Sequence, residues 1–290
     1  MTEKPISFID RALAIASFLG LTYLFLPTLK EIAEICWTDD DYSHGTLLPF
    51  VALYMIWDSK DKISKKINEA NRIRKNETAW KLPLVFLVFG LALFFLGEAT
   101  GISFTCWVAF FPVVLASIYL IYGKTTYHSF ASPILLLYMA KPLPDSLVVR
   151  LFWPLQVLAA RVSKEVLAAL GVPVFLSGNI IEIPGMKLMV EEACSGMRSV
   201  MAMLTLSFIL CYFLEIRLLY KIILVAFSLL VAIVLNIFRV SATGILAHFY
   251  DPSAATGFFH TFSGLVVFVI GLPLLYGLGA LLLKIDKGRK

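Results

Sequence analysis

The chain has 290 residues, of which 59% are hydrophobic and 16% charged, and its mean hydropathy is +0.85. Soluble domains run nearer half apolar and a quarter charged, so the composition excludes an ordinary soluble enzyme and predicts a polytopic helical membrane protein. The net charge of +5 would suggest nucleic acid in a soluble protein; here the basic residues sit in loops and at the termini, where topology explains them, and no nucleic-acid partner is expected.

Several apolar runs reach the length that a bilayer core of about 30 Å demands of a helix. Lys4 and Arg11 precede the first, over 12–29. It ends in Leu26-Pro27-Thr28 without a small-residue cleavage site, so no cleavable signal peptide is expected. An acidic loop with Glu31, Glu34, Asp39, Asp40 and Asp41 follows, then Tyr42-Ser43-His44-Gly45 opens a shorter span over 45–57. The polar segment 58–81 holds the densest run of lysine and arginine, which the positive-inside rule assigns to the cytoplasm together with the amino terminus.

Spans three to five are predicted over 82–96, 102–122 and 127–139, the last closed by Lys141-Pro142-Leu143-Pro144. The stretch 145–170 mixes Leu, Val and Trp with Arg150, Arg161, Lys164 and Glu165, which argues for an interfacial amphipathic helix rather than a span. β-like runs at 174–176 and 180–183, with turns at Ser177-Gly178-Asn179 and Pro184-Gly185, predict a small hairpin. An exposed sheet edge cannot sit in hydrocarbon, so the hairpin is placed outside the lipid. Spans six to eight follow over 195–213, 218–249 and 260–283, before the basic tail Lys284, Lys287, Arg289 and Lys290. The expectation is one all-α membrane domain over 1–290, with about eight spans, both termini cytoplasmic and an extracytoplasmic β-hairpin before span six.

The chemistry gathers at Glu191-Glu192-Ala193-Cys194-Ser195-Gly196-Met197-Arg198. By this topology Cys194 lies at the outer start of span six and His260 at the outer start of span eight. Arg239 lies 18 residues after Lys221, about 27 Å from the inner end of its helix at 1.5 Å per residue. Thiol, guanidinium and imidazole therefore share one depth on one side. A helix N-terminus favours the thiolate, a histidine can accept its proton, and a cationic arginine can stabilise a developing oxyanion. Glu191 and Glu192 oppose a thiolate unless a base such as Arg198 pairs with them; orienting His260 or binding a basic substrate tail are their other readings. Asn236 and Arg239 share a helical face, and an intramembrane arginine is a functional candidate.

Plainer readings stand beside these. Cysteine is among the most buried residue types, and a Cys36–Cys194 disulfide would remove the nucleophile. Arg239 can snorkel to the headgroups, and His248 is as well placed as His260. His44 can simply cap span two, and His128 lies toward the inner side. Cys106 and Cys211 fall within spans and read as core. With no CxxC and no Cys/His cluster at metal spacing, neither a metal nor another cofactor is expected.

Glu-x-Cys-Ser-Gly-Met-Arg at 192–198, Asn-x-x-Arg at 236–239, Phe-His at 259–260 and Tyr-Ser-His-Gly at 42–45, followed by Leu-Leu-Pro, together resemble the exosortase/archaeosortase family. The resemblance spans about 41–268 and keeps the family's motif order. It implies a membrane-embedded cysteine transpeptidase that cuts carboxy-terminal sorting signals of exported proteins, PEP-CTERM-like tails built of a short motif, a transmembrane helix and a basic cluster. On that resemblance Cys194 is the nucleophile, Arg239 the transition-state stabiliser and His260 the general acid/base. Glu191, Glu192, Arg198, Asn236 and His44 are supporting residues. The bacterial branch implies the inner membrane, a periplasmic active site, a lipid or glycan acceptor and a link to exopolysaccharide production. The short tail after span eight implies no extra carboxy-terminal domain. A purely hydrolytic intramembrane cysteine protease and a non-enzymatic polysaccharide-export component remain as alternatives.

Overall fold

A computed structural model describes residues 8–61, 63–64, 80–122, 124–141, 143–184, 186–189, 196–250 and 258–288. The chain forms two compact units, Met1–Pro142 and Leu143–Lys290. Five described helices are long and apolar enough to cross a membrane.

In the first unit, α1 (Phe8–Thr38) continues well past the predicted span. A 3-10 segment, Asp40–Leu47, turns the chain into α2 (Leu48–Asp58). The antiparallel pair α3 (Lys81–Thr100) and α4 (Ser103–Tyr122) follows. Gly101 joins them in the left-handed conformation (φ 69°), the usual glycine stop, with Ile102 N–H donating to the Gly97 carbonyl at 3.0 Å. Small residues let the two helices close: a Cβ on Gly97 would lie 2.8 Å from the Cys106 nitrogen, and one on Gly90 2.7 Å from a Val113 methyl. Phe25 of α1 completes this core edge-on to Phe94 and Phe110, at centroid distances of 4.9 and 5.1 Å. Cys106 is buried, as expected of core. The unit ends with α5 (Lys124–Leu137) and the 3-10 turn Tyr138–Ala140.

The second unit opens with α6 (Asp145–Ala169), the segment expected to lie along the interface. It has 25 residues, and Ser146–Ala169 is one of the five helices long and apolar enough to cross. Its buried face carries Ala159, Ala160 and Leu167, while Arg150, Arg161 and Glu165 are exposed.

The expected hairpin gains a strand: β1 (Phe175–Ser177), β2 (Ile180–Ile183) and β3 (Met186–Met189) form an antiparallel sheet in the order β1-β2-β3. Gly178, at φ 64°, holds the first central position of the two-residue β1–β2 turn, where a primed turn needs glycine. The directly paired Ile181 and Leu188 point to one face and are buried against α6 and Val240. Glu182 and Lys187, paired one position along, form an ion pair at 2.7 Å on the other face.

Next come α7 (Gly196–Phe213), α8 (Leu218–Phe249) and α9 (Phe258–Lys287). The central helix is α8, packed on α6, α7 and α9. Phe152, Met203, Leu224, Leu235, Val267 and Leu275 form the core among them. The buried Cys211 belongs to this core too. The loop before α8 is tied to the end of α9: Arg217 Nε lies 2.7 Å from Asp286 Oδ1, and the Arg217 backbone N–H donates to Oδ2 at 3.2 Å.

Candidate functional site

The sheet leads the chain toward the candidate cysteine. β3 ends at Met189, five residues before Cys194, and α7 begins two residues after it. With Ile181 and Leu188 anchored in the core, both ends of the connecting stretch are held by packed elements. Glu191, Glu192 and Cys194 themselves lie outside the described residues, and so does the Cys36–Cys194 alternative. Arg198 stands in the first turn of α7, half-buried.

Arg239 occupies the inward face of α8 at 4% relative exposure, while its neighbour Phe238 is 59% exposed. A guanidinium that snorkels to the headgroups would be accessible; this one is buried. It rests against α9 at Gly264, where a Cβ would lie 3.8 Å from Nη2 and 3.9 Å from Cζ. Gly264 is four residues after His260, so the two positions share one face of α9. The helix face that carries His260 is thus the face that the arginine approaches; the His260 side chain lies outside the described residues. The sequence signal for Gly264 was a glycine one turn after Phe-His, the first of four in α9.

Asn236 lies one turn before Arg239 at 5% exposure, and its Oδ1 has no hydrogen-bond partner among the described residues. His248, the rival to His260, sits half-buried in the last turn of α8, its ring edge-on to Phe249 at 4.9 Å.

The amino-terminal signature folds in the first unit. His44 lies within the 3-10 segment, half-buried, with its ring 6.5 Å from that of the buried Tyr42. It does not cap α2, whose N-cap is Leu47. Gly45 is required by packing: a Cβ there would collide with Cys36 Sγ and lie 3.3 Å from the Ala140 Cα. Cys36 is a buried free thiol with Sγ 3.5 Å from the Ala140 carbonyl. Burial, then the charge of Asp39, pushes its pKa up despite Lys141, the opposite of what a nucleophilic thiol needs.

Sequence reasoning missed a polar cluster beside it. The Lys141 ammonium, 5% exposed, donates to Glu31 Oε1 and to Ser103 Oγ, each at 2.6 Å, and Ser103 also bonds Glu31. The three residues come from sequence positions 31, 103 and 141, and no periodicity links positions so far apart. Among the described residues no group of three metal-ligating side chains occurs.

Comparison with protein families finds a match to the transmembrane exosortase family over residues 36–277. No curated protein and no solved structure matches the chain.

Proposed function

From the premise that the chain belongs to the transmembrane exosortase family, we propose that it is a cysteine transpeptidase of the plasma (inner) membrane. It cleaves carboxy-terminal sorting tails of exported proteins on the extracytoplasmic side and passes the product to a lipid or glycan acceptor. The observation that carries this reading is the family match, which takes in every motif segment from His44 to His260.

In this reading the Cys194 thiolate adds to the scissile carbonyl carbon, and Arg239 receives the charge that develops on the carbonyl oxygen. Collapse of the tetrahedral intermediate breaks the C–N bond as His260 protonates the departing amine. The thioester is then resolved by a nucleophile of the acceptor, whose proton returns to His260. Burial of Arg239 supports its part, because a fixed cation acts more strongly where water is excluded.

Cys194→Ala is expected to abolish processing of a co-expressed tail-bearing substrate while the protein still inserts. Arg239→Ala should reduce it by about two to three orders of magnitude, the usual cost of a lost oxyanion donor. Normal processing by the cysteine variant would end the proposal. Mass analysis of the new carboxyl terminus separates transfer, which leaves an adduct, from hydrolysis, which leaves a free carboxylate.

A further inference from the structure

The small sheet has two edge strands, and one of them immediately precedes the candidate cysteine. Among the described residues the strand order is β1-β2-β3, so β3 pairs on one side only. The register decides which of its backbone groups stay open. Ile183 and Met186 are partners across a two-residue turn, and such a closing pair exchanges both of its backbone hydrogen bonds. Bonded and non-bonded pairs alternate along an antiparallel ladder. The backbone of Leu188 therefore bonds that of Ile181, while those of Lys187 and Met189 do not bond their partners Glu182 and Ile180. The N–H and C=O of Lys187 and of Met189 thus point away from β2, along the outer edge, at the spacing a further strand would match.

The other edge is placed differently. There α6 packs on β1 and β2, and Asn179 in the turn between them donates to Gln156 of α6 at 3.4 Å. Met189, by contrast, is five residues before Cys194, at most about 18 Å of extended chain. On its buried face, Leu188 belongs to one cluster with Val240, the residue after Arg239 on α8. A single strand is therefore linked by the chain to the proposed nucleophile and by packing to the helix of the proposed oxyanion donor.

Chemistry selects what such an edge takes. A peptidase must hold the scissile bond in an extended segment, and that segment carries its own row of unpaired N–H and C=O groups. Lipid satisfies neither row, so the edge is left to water or to another strand. We propose that the outer edge of β3 binds the residues flanking the scissile bond of the exported tail as an added strand, through the backbone groups of Lys187 and Met189. The proposal rests on the peptidase reading above. Lys187 binds substrate through its backbone and not through its side chain, which is paired with Glu182 on the outward face of the sheet.

The test uses the full-length protein in membranes and an exported reporter bearing a tail of short motif, apolar helix and basic cluster. Lys187→Pro deletes the outward N–H and leaves every backbone bond to β2 in place, as proline on an edge strand can. It is expected to accumulate as the wild type does and to process the reporter about tenfold more slowly, the order expected for one lost backbone hydrogen bond. Lys187→Ala keeps the N–H and should process at the wild-type rate. Wild-type processing by Lys187→Pro overturns the edge site, and so does an equal loss in Lys187→Ala.

Cross-linking gives a second readout that does not need the proline to be tolerated. The variant is Lys187→Cys with Cys194→Ala, and Cys36, Cys106 and Cys211 are buried. A short bismaleimide should join position 187 to reporter residues two apart near the cut and skip the one between, because strand residues alternate faces. Equal cross-linking at consecutive positions overturns the added strand, as does none at all, or a cross-linked dimer of the protein in place of the reporter adduct. Those results leave the cysteine chemistry standing, which falls separately if Cys194→Ala processes the reporter as the wild type does.

Discussion

Arg239 shows how much one residue's surroundings decide. On sequence, a guanidinium near the end of a long apolar helix serves equally as a headgroup anchor or as part of a site. Its seat beside Gly264, with the preceding Phe238 turned outward, argues against the anchor reading. Glu31 is the comparable case in the first unit. Burial raises its pKa, but the hydrogen bonds from Lys141 and Ser103 and the charge of Lys141 outweigh that and hold it below its ordinary 4.5. A carboxyl with a depressed folded pKa contributes stability that is complete above the unfolded value and is lost as pH falls through the folded one. The wild-type melting temperature should therefore fall on acidification below about pH 4.5. In Glu31→Gln that component should vanish, and stability at pH 7 should drop by about 2 kcal/mol because the buried Lys141 loses its counter-charge. Melts in detergent across pH 3–7 check both; parallel pH profiles would mean that the pair contributes nothing.

Elements in this chain meet through small residues. Gly90 and Gly97 let α3 lie on α4, and Gly264 and Gly271 let side chains of the second unit reach the backbone of α9. Gly45 does the same for the 3-10 segment against the end of α1, so the Tyr-Ser-His-Gly signature has a packing basis whatever chemistry His44 serves. Gly45→Ala should cost about 1–3 kcal/mol, the usual range for overpacking. Cys36→Ala removes one of the two obstructions, the other being the Ala140 backbone. The double variant should therefore recover part of that loss, with a coupling of about 1 kcal/mol. Additive losses in thermal melts would show that the thiol does not limit the approach. The third strand is also an element-scale finding: its register on β2 buries Leu188 beside Ile181 and leaves Lys187 facing Glu182.

For the whole molecule, the open assignments are α2 and α6. With 11 residues α2 is about 16 Å long, half a bilayer core, whereas the 25 residues of α6 reach about 37 Å. Exchanging one for the other leaves both the expected eight crossings and the expected side of the site unchanged. Counting back from the basic carboxy-terminal tail, α9, α8 and α7 alone place the segment before α7 opposite that tail. Reporter fusions at 251–257 should therefore read extracytoplasmic and fusions after Lys287 cytoplasmic. A fusion within 66–78 reads cytoplasmic if α2 crosses and extracytoplasmic if α6 crosses in its place. A cytoplasmic reading at 251–257 would put Arg239 and His260 on the wrong side for exported tails.

Composition and apolar run length by themselves determined a helical membrane protein, because each span must satisfy its own backbone and clothe it in apolar side chains. Spacing and loop charge also led to the expectation that Cys194, Arg239 and His260 share one depth, and four short motifs in order pointed to the family. What needed the folded chain was lateral. Which face of α8 turns inward, that Gly264 makes room for Arg239, that Asn236 is buried, and that Lys141 meets Glu31 all depend on contacts between segments distant in sequence. In an apolar chain nearly every face can meet lipid or protein, so hydropathy carries little record of which face packs on which. Depth is a one-dimensional property that a sequence encodes directly; neighbourhood is set by packing.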